Sequence, residues 1–300
     1  MAKPISRRAE TQKGIPAGNF APKNLSPPSR RLFPRHPVLQ YKAGVPRRGR
    51  RKPSSREIPP GVRRKTIEMN QPTHPAATVA PLRAGPHGME VLLLRRNPAL
   101  AFHGGAWVFP GGRVDHADRV STEENDPLAA ARRAAVREAR EEADLTFAPD
   151  RLTPISRWTT PPGFSRRFVA WVFLAEAETG RVRVDGGEIH EHRWMSPGAA
   201  LMAHETGDLP LPPPTFITLV SLSGQKTPEE ALKSAAARKP RFFVPRILEI
   251  PGGRCSLYPG DAGYAARDLD RDGPRHRLWM TGKPWRYECS MEETGDGECG

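Results

Sequence analysis

Glu138, Glu141 and Glu142 are the residues of this chain whose type and spacing most invite chemistry. Positions three and four apart lie on one face of a helix, so the three carboxylates share a face. Like charges at these spacings cost only a few tenths of a kcal/mol per pair, and Arg137 can offset part of that by pairing with Glu141 at i,i+4. Two readings follow from the residues alone. One is an ordinary solvated Arg–Glu surface. The other is a site for a hard divalent cation, which takes several oxygen ligands and neutralises the cluster.

The helix that must position these carboxylates has a legible start. Asp126 is a good N-cap acceptor and Pro127 suits the first helical position. From there to Ala143 nearly every residue is Ala, Arg, Glu or Leu, all strong helix formers. Upstream, Phe109-Pro110-Gly111-Gly112 reads as a turn rather than as part of a strand or helix.

Together, the glycine turn and the acidic helix resemble the signature of the Nudix hydrolases: Gly, five residues, Glu, seven residues, then Arg-Glu-U-x-Glu-Glu-x-Gly-U, with U apolar. Arg137 to Leu145 fit the second half, with Asp144 in place of the glycine. Asp tolerates the left-handed conformation of a helix C-terminus better than most residues, so that departure is mild. In the first half, five residues on from Gly112 stands Asp118 rather than Glu. Asp118 to Arg137 is 19 positions where the family has eight, an insertion of 11 that falls roughly at Arg119 to Asp126. A long loop at this point is similar to the subgroup containing the peroxisomal coenzyme A diphosphatase and its bacterial relatives. Further likeness lies in Leu92-Leu93-Leu94-Arg95-Arg96, Phe102, Gly105, Trp158-Thr159-Thr160-Pro161-Pro162, Arg166-Arg167-Phe168, Glu191-His192-Arg193-Trp194 and Leu211-Pro212-Pro213-Pro214-Thr215. The resemblance covers about residues 76 to 280. The coenzyme A signature expects Ser or Ala where Asn97 stands and Arg where Ala101 stands.

What the resemblance implies is an α/β/α sandwich with a mixed sheet, and hydrolysis of a diphosphate assisted by Mg²⁺ or Mn²⁺. Glu138, Glu141 and Glu142 would hold the metal, helped by a backbone carbonyl at Gly112. Arg137 would orient a glutamate. Mg²⁺ suits a pyrophosphate because it takes one or two carboxylates plus phosphate oxygens and keeps several waters, and a bound metal lowers the pKa of its water. The general base is open between Glu188, Glu191 and Glu138; Glu188, on a loop before a later strand, is placed as in some family members. Arg95 and Arg96 are candidates for substrate phosphate. The expected substrate is a nucleoside diphosphate linked to another moiety, with coenzyme A or an acyl derivative first and ADP-ribose or a dinucleotide as alternatives. A binding protein of the same fold without catalysis is the reading from another class, kept open by Asp118 and Asp144.

Residues 1–75 hold 18 of the 47 lysines and arginines but only Glu10, Glu57 and Glu68 among the acidic residues, so the chain's net charge of +14 resides there. A segment so basic and proline-broken is expected to be disordered. It offers nucleic acid an electrostatic tether, without aromatic interleaving for base stacking. Translation from Met69 is a further reading of that segment. The Nudix domain is expected over 76–240, with strands at Thr78–Ala84, Met89–Arg96, Trp107–Phe109, Ile155–Thr160, Phe168–Glu176 and Ile189–Met195. Helices are expected at Gly198–His204, Thr215–Leu222 and Thr227–Arg238. A small β-extension follows at 241–288 and a disordered tail at 289–300. Three cysteines make no disulfide framework, which suits a reducing, cytoplasmic compartment, and no apolar run approaches a membrane span.

Overall fold

The computed structural model describes residues 72–100, 104–119, 126–178 and 181–290. Most of the basic N-terminal segment, residues 120–125 of the insertion, Ala101, Phe102 and the last ten residues lie outside them.

Two long strands found the main sheet: β1 (Thr73–Gly85) and β2 (Gly88–Arg96), an antiparallel hairpin that pairs Gly85 with Gly88. β1 begins at Thr73, inside the stretch expected to be tail. Its first residues pair in parallel with β6 (Arg167–Glu176), Thr73 opposite Arg167, and Pro75 O accepts from Val114 N at 2.9 Å. Long-range pairing thus orders a stretch that has no apolar pattern of its own. Around the hairpin come β3 (Trp107–Val108) and β7 (Ile189–Met195) on β2, and β5 (Thr153–Thr159) on β6. β8 (Arg241–Phe243) adds in parallel to β5, so the start of the expected extension belongs to the main sheet.

One element departs from the sequence reading. Gly111–Arg113, expected as a turn, is a strand, β4, running antiparallel to β1 with Gly111 opposite Thr78 and Gly112 opposite Ala77. Glycine is required here by space, not by turning. A Cβ on Gly111 would collide with the backbone of Ala77 and Thr78. Pro110 O accepts from Val79 N at 3.0 Å and from Thr78 Oγ1 at 2.6 Å, which ties the entry of β4 to the middle of β1.

Alternation along the strands feeds two cores, one on each face of the sheet. Ala77, Val79, Leu92, Leu94 and Phe173 face α1 (Pro127–Ala143), while Ala80, Leu82, Val91, Leu93 and Leu174 face the other side. On that other side lie α2 (Pro197–Thr206), α3 (Pro213–Leu222) and α4 (Pro228–Ala236). The sheet therefore lies between helices, as expected. Leu92, Leu93 and Leu94 are all fully buried because both faces are covered. α1 meets the sheet through alanines 130, 131, 134, 135, 139 and 143, all buried. The Asp126 cap read from sequence is in place, accepting from Leu128 N and Ala129 N, and two further helices are capped alike: Ser196 accepts from Ala199 N and Thr227 from Glu230 N.

The C-terminal piece forms its own antiparallel sheet, β9 (Arg246–Ile250), β10 (Gly253–Leu257), β11 (His276–Thr281) and β12 (Arg286–Cys289), in spatial order 12-11-10-9. Tyr258 and Leu278 join the core on the side of α2 to α4. The loop between β10 and β11 is held by Asp261, whose buried carboxylate accepts from Arg277 Nε and Nη2 at 2.7 Å, His276 N at 2.8 Å and Gly263 N at 2.8 Å. Among the described residues, no helix is long and apolar enough to cross a membrane.

Candidate active site

β4 and α1 bring the signature residues together. Because Ala139 and Ala143 seat the helix tightly on the sheet, Glu138 and Glu142 end beside Gly111-Gly112. Glu142 is 6% exposed and accepts from Gly111 N at 2.9 Å. The Glu138 carboxylate fills the space a Cβ on Gly112 would take. Burial pushes the Glu142 carboxyl up to about 8, against the Gly111 N–H, and the neighbouring Glu138 charge adds to the rise. Burial raises Glu138 as well, opposed chiefly by Arg137.

Arg137 is the hub of this arrangement. Its Nη1 donates to Glu138 Oε1 and to Glu141 Oε2, both at 3.0 Å. Its Nε and Nη2 donate to the two carboxylate oxygens of Asp118, at 3.2 and 3.0 Å, and Nη2 also reaches Arg113 O at 3.0 Å. Hydrogen bonding to Asp118 raises the guanidinium's already high pKa. Asp118 is 5% exposed, closes a 3₁₀ turn (His116–Asp118) and accepts from Asp115 N at 2.8 Å. Asp118 is thus an anchor for Arg137, which explains why the shorter acid suffices: it meets a guanidinium fork bidentately. Asp144, the other departure, caps α1 in the left-handed region at φ 58°, ψ 32°.

Of the side chains expected to hold a metal, two lie together and one stands apart. Glu138 and Glu142 flank the glycine strand, and Gly112 lies in β4 opposite Ala77. Glu141 is mostly exposed and turned to Arg137, and no three acidic, His or Cys side chains converge on one point among the described residues. The donor chemistry nonetheless fits a hard cation: two desolvated carboxylates one turn apart, each favouring a proton, that a divalent ion would satisfy better.

Strand alternation separates the two arginines. Arg96 follows Leu92 and Leu94 onto the α1 side, and Arg95 follows Leu93 onto the other. Arg96 Nη2 lies 3.5 Å from Glu188 Oε2, and its Nε is buried with no hydrogen-bond partner among the described residues. Both Arg96 and Glu188 act on the charge of Glu142. Glu191 pairs instead with Arg95 at 3.4 Å and Arg193 at 2.7 Å, and Arg193 stacks over Trp107 in the opposite core. The hydrogen bond from Arg193 holds the Glu191 carboxyl below its usual range. His190 and His192 are exposed.

The loop carrying Glu188 is pinned by hydrogen bonds. Asp185 accepts from Glu188 N and Ile189 N, both at 2.9 Å. Asn97 N donates to Glu188 O at 2.7 Å, and Asn97 Nδ2 donates to Gly187 O at 3.0 Å. Sequence reasoning missed Asn97 as part of the site. The signal available was its place directly after Arg95-Arg96, at the end of a fully buried strand.

The family model of the NUDIX domain matches residues 72–213. A probable nudix hydrolase of Schizosaccharomyces pombe is 37% identical over 97 residues, which is 32% of this chain and 29% of that protein; the chain thus spans under a third of the length of that curated relative. Among solved structures, a NUDIX hydrolase from Alicyclobacillus acidocaldarius is 26% identical at a TM-score of 0.48, over 54% of this chain and 96% of that one. A MutT NUDIX hydrolase from Burkholderia pseudomallei is 26% identical at a TM-score of 0.37, over 50% and 98%. With the glycine strand, the carboxylate helix and the Arg137 hub in place, residues 72–213 are a domain of the Nudix family.

Proposed function

We propose that the chain hydrolyses the diphosphate bond of a nucleoside diphosphate linked to another moiety. The observation that carries this reading is the Gly111-Gly112 strand with Glu138 and Glu142 closed over it, bound into one unit by Arg137. Mg²⁺ or Mn²⁺ held by Glu138 and Glu142, with Glu141 recruited from the surface, would screen the diphosphate charge and acidify the attacking water.

The chain's own residues supply the rest. Arg137 orients Glu138 and Glu141 and does not touch substrate, since its donors are already engaged by Asp118, Glu138, Glu141 and Arg113. Arg96 binds a phosphate oxygen; its support is the unpartnered Nε beside Glu142. Arg95 is less suited, being engaged by Glu191 on the other face. Glu188 takes the proton of the attacking water. What favours it over Glu191 is its side of the sheet and its electrostatic reach to Glu142. Coenzyme A or an acyl derivative is the first substrate, on the strength of the long loop in the signature and the flanking residues that resemble that subgroup. The basic N-terminal segment would add at most a salt-sensitive attachment to nucleic acid.

A panel of coenzyme A, ADP-ribose and dinucleoside polyphosphates, assayed with Mg²⁺ and with Mn²⁺, tests the reading. Turnover of at least one compound, abolished in Glu142→Gln with the fold retained, is the expected result. An active Glu142→Gln enzyme would overturn the mechanism, and no turnover on any diphosphate would favour a binding protein.

A further inference from the structure

On the face of the sheet away from α1, a cavity of about 260 Å³ lies between β5, β8, α3 and α4. That is near the lower end of the roughly 300–1,000 Å³ typical of small-ligand sites. Its walls are largely apolar, formed by residues such as Ile155, Trp158, Leu174, Ile217 and Phe243. No carboxylate lines it. Three cations do, Arg238, Lys239 and Arg241, and of these Lys239 and Arg241 form no ion pair among the described residues. Arg241 alternates with Phe242 along β8, so it shares the face of the buried Phe243 and is directed to the cavity side.

A second polar group lies at the same end. The hydroxyl of Tyr287, which also lines the cavity, is buried, and Arg241 bears on it electrostatically. Hydroxyl and guanidinium therefore share one end of the cavity, where both can donate to an acceptor oxygen.

From this placement we propose a second binding site, separate from the Nudix carboxylates, for a small amphiphile with an apolar body and one anionic head. The body lies against Trp158, Ile217 and Phe243. The head is held by Arg241, Lys239 and the Tyr287 hydroxyl. A carboxylate and a phosphate monoester share this chemistry, and the guanidinium fork matches either.

The test is calorimetric titration of the full chain, with a chelator present so that the carboxylate site is silent. The probes are octanoate, octyl phosphate and octanol. Saturable one-site binding of octanoate or octyl phosphate, with octanol at least roughly tenfold weaker, is expected from the loss of one charge-assisted contact. The tighter of the two anions identifies the head group. Arg241→Gln should weaken binding by a similar factor, Ser234→Phe should abolish it by filling the space, and Arg96→Gln should leave it unchanged. Equal binding of octanol, no saturable binding of either anion, or full affinity in Arg241→Gln would each overturn the proposal. Loss of binding in Arg96→Gln would return the anion to the first site and overturn it as well.

Discussion

The Glu138 carboxylate stands where a side chain on Gly112 would begin, whereas the space beside Gly111 is occupied by the backbone of Ala77 and Thr78. The two adjacent glycines therefore serve different ends. Gly112→Ala asks only the tip of a flexible side chain to move, so stability should change little while turnover falls at least roughly tenfold, one unit of transition-state energy being about 1.4 kcal/mol. Gly111→Ala must shift β1 itself and should lose about 1–3 kcal/mol of stability, as overpacked sites do. Paired denaturation and turnover measurements check this; the opposite assignment of the two losses would contradict it.

Asp118 should prove indispensable although it binds neither metal nor substrate in this reading. Asp118→Asn removes the charge that holds two donors of Arg137, freeing that guanidinium to pull Glu138 and Glu141 out of place. The expected signature is a fall in kcat with weaker Mn²⁺ binding, and partial recovery in Asp118→Glu. An Asp118→Asn enzyme with unchanged metal affinity would show that Arg137 needs no anchor.

Glu188→Gln should lower turnover at least roughly tenfold, toward the weak end of general-base effects because metal activation remains. Glu191→Gln should cost less, since its partners Arg95 and Arg193 lie on the other face. Asn97→Ala should resemble a mild Glu188→Gln, because it releases the loop that presents Glu188. Kinetic losses in the reverse order would transfer the role to Glu191. If neither glutamate matters, Glu138 becomes the base.

Two buried histidines should make the fold acid-sensitive. Burial lowers the pKa of His276 and of His204 from 6.5. The unfolded chain then binds more protons than the folded one below about pH 6.5, so stability is complete above that value and is lost as pH falls toward the folded pKa. His276 is enclosed by Phe243, Tyr258 and Tyr287, with its ring nitrogen on Pro259 O. Glu138 and Glu142, whose raised carboxyls gain protons over the same range, work in the opposite direction, so the measurement is made in a Glu138→Gln/Glu142→Gln background: denaturant midpoints from pH 7.5 to 5 should fall there, and fall less steeply when His276→Asn is added. An identical slope in the variant would remove His276 as the cause.

Much of this site could be read from the chain, and the exceptions have physical reasons. α1, its Asp126 cap and its Asp144 terminus follow from local propensity, which acts over a few residues. β4 could not be read, because Pro110-Gly111-Gly112 has turn composition and becomes a strand only by lying against β1 more than thirty positions away. The irregularity in the pairing of β2 with β7 skips His190, so that Arg95 stands opposite Glu191 and Arg96 opposite Ile189, and such a bulge leaves no pattern in the polar sequence of β7. The sheet of β9 to β12 could be read as a β-extension but not strand by strand, since the Asp261–Arg277 pair that organises it joins residues 16 apart across a polar loop.

The alanine face of α1 carries a consequence for how this domain can change. A helix seated on Ala130, Ala134, Ala135 and Ala139 presents mostly methyl groups to the sheet at its centre, which leaves it few long side chains of its own to repack and absorb a displacement. Any larger residue there lifts the helix bodily, and Glu138 and Glu142 travel with it. Drift in the hydrophobic interior is therefore registered at once as drift in chemistry. Change is tolerated better at positions that do not touch this helix face, where a substitution leaves Glu138 and Glu142 where they are.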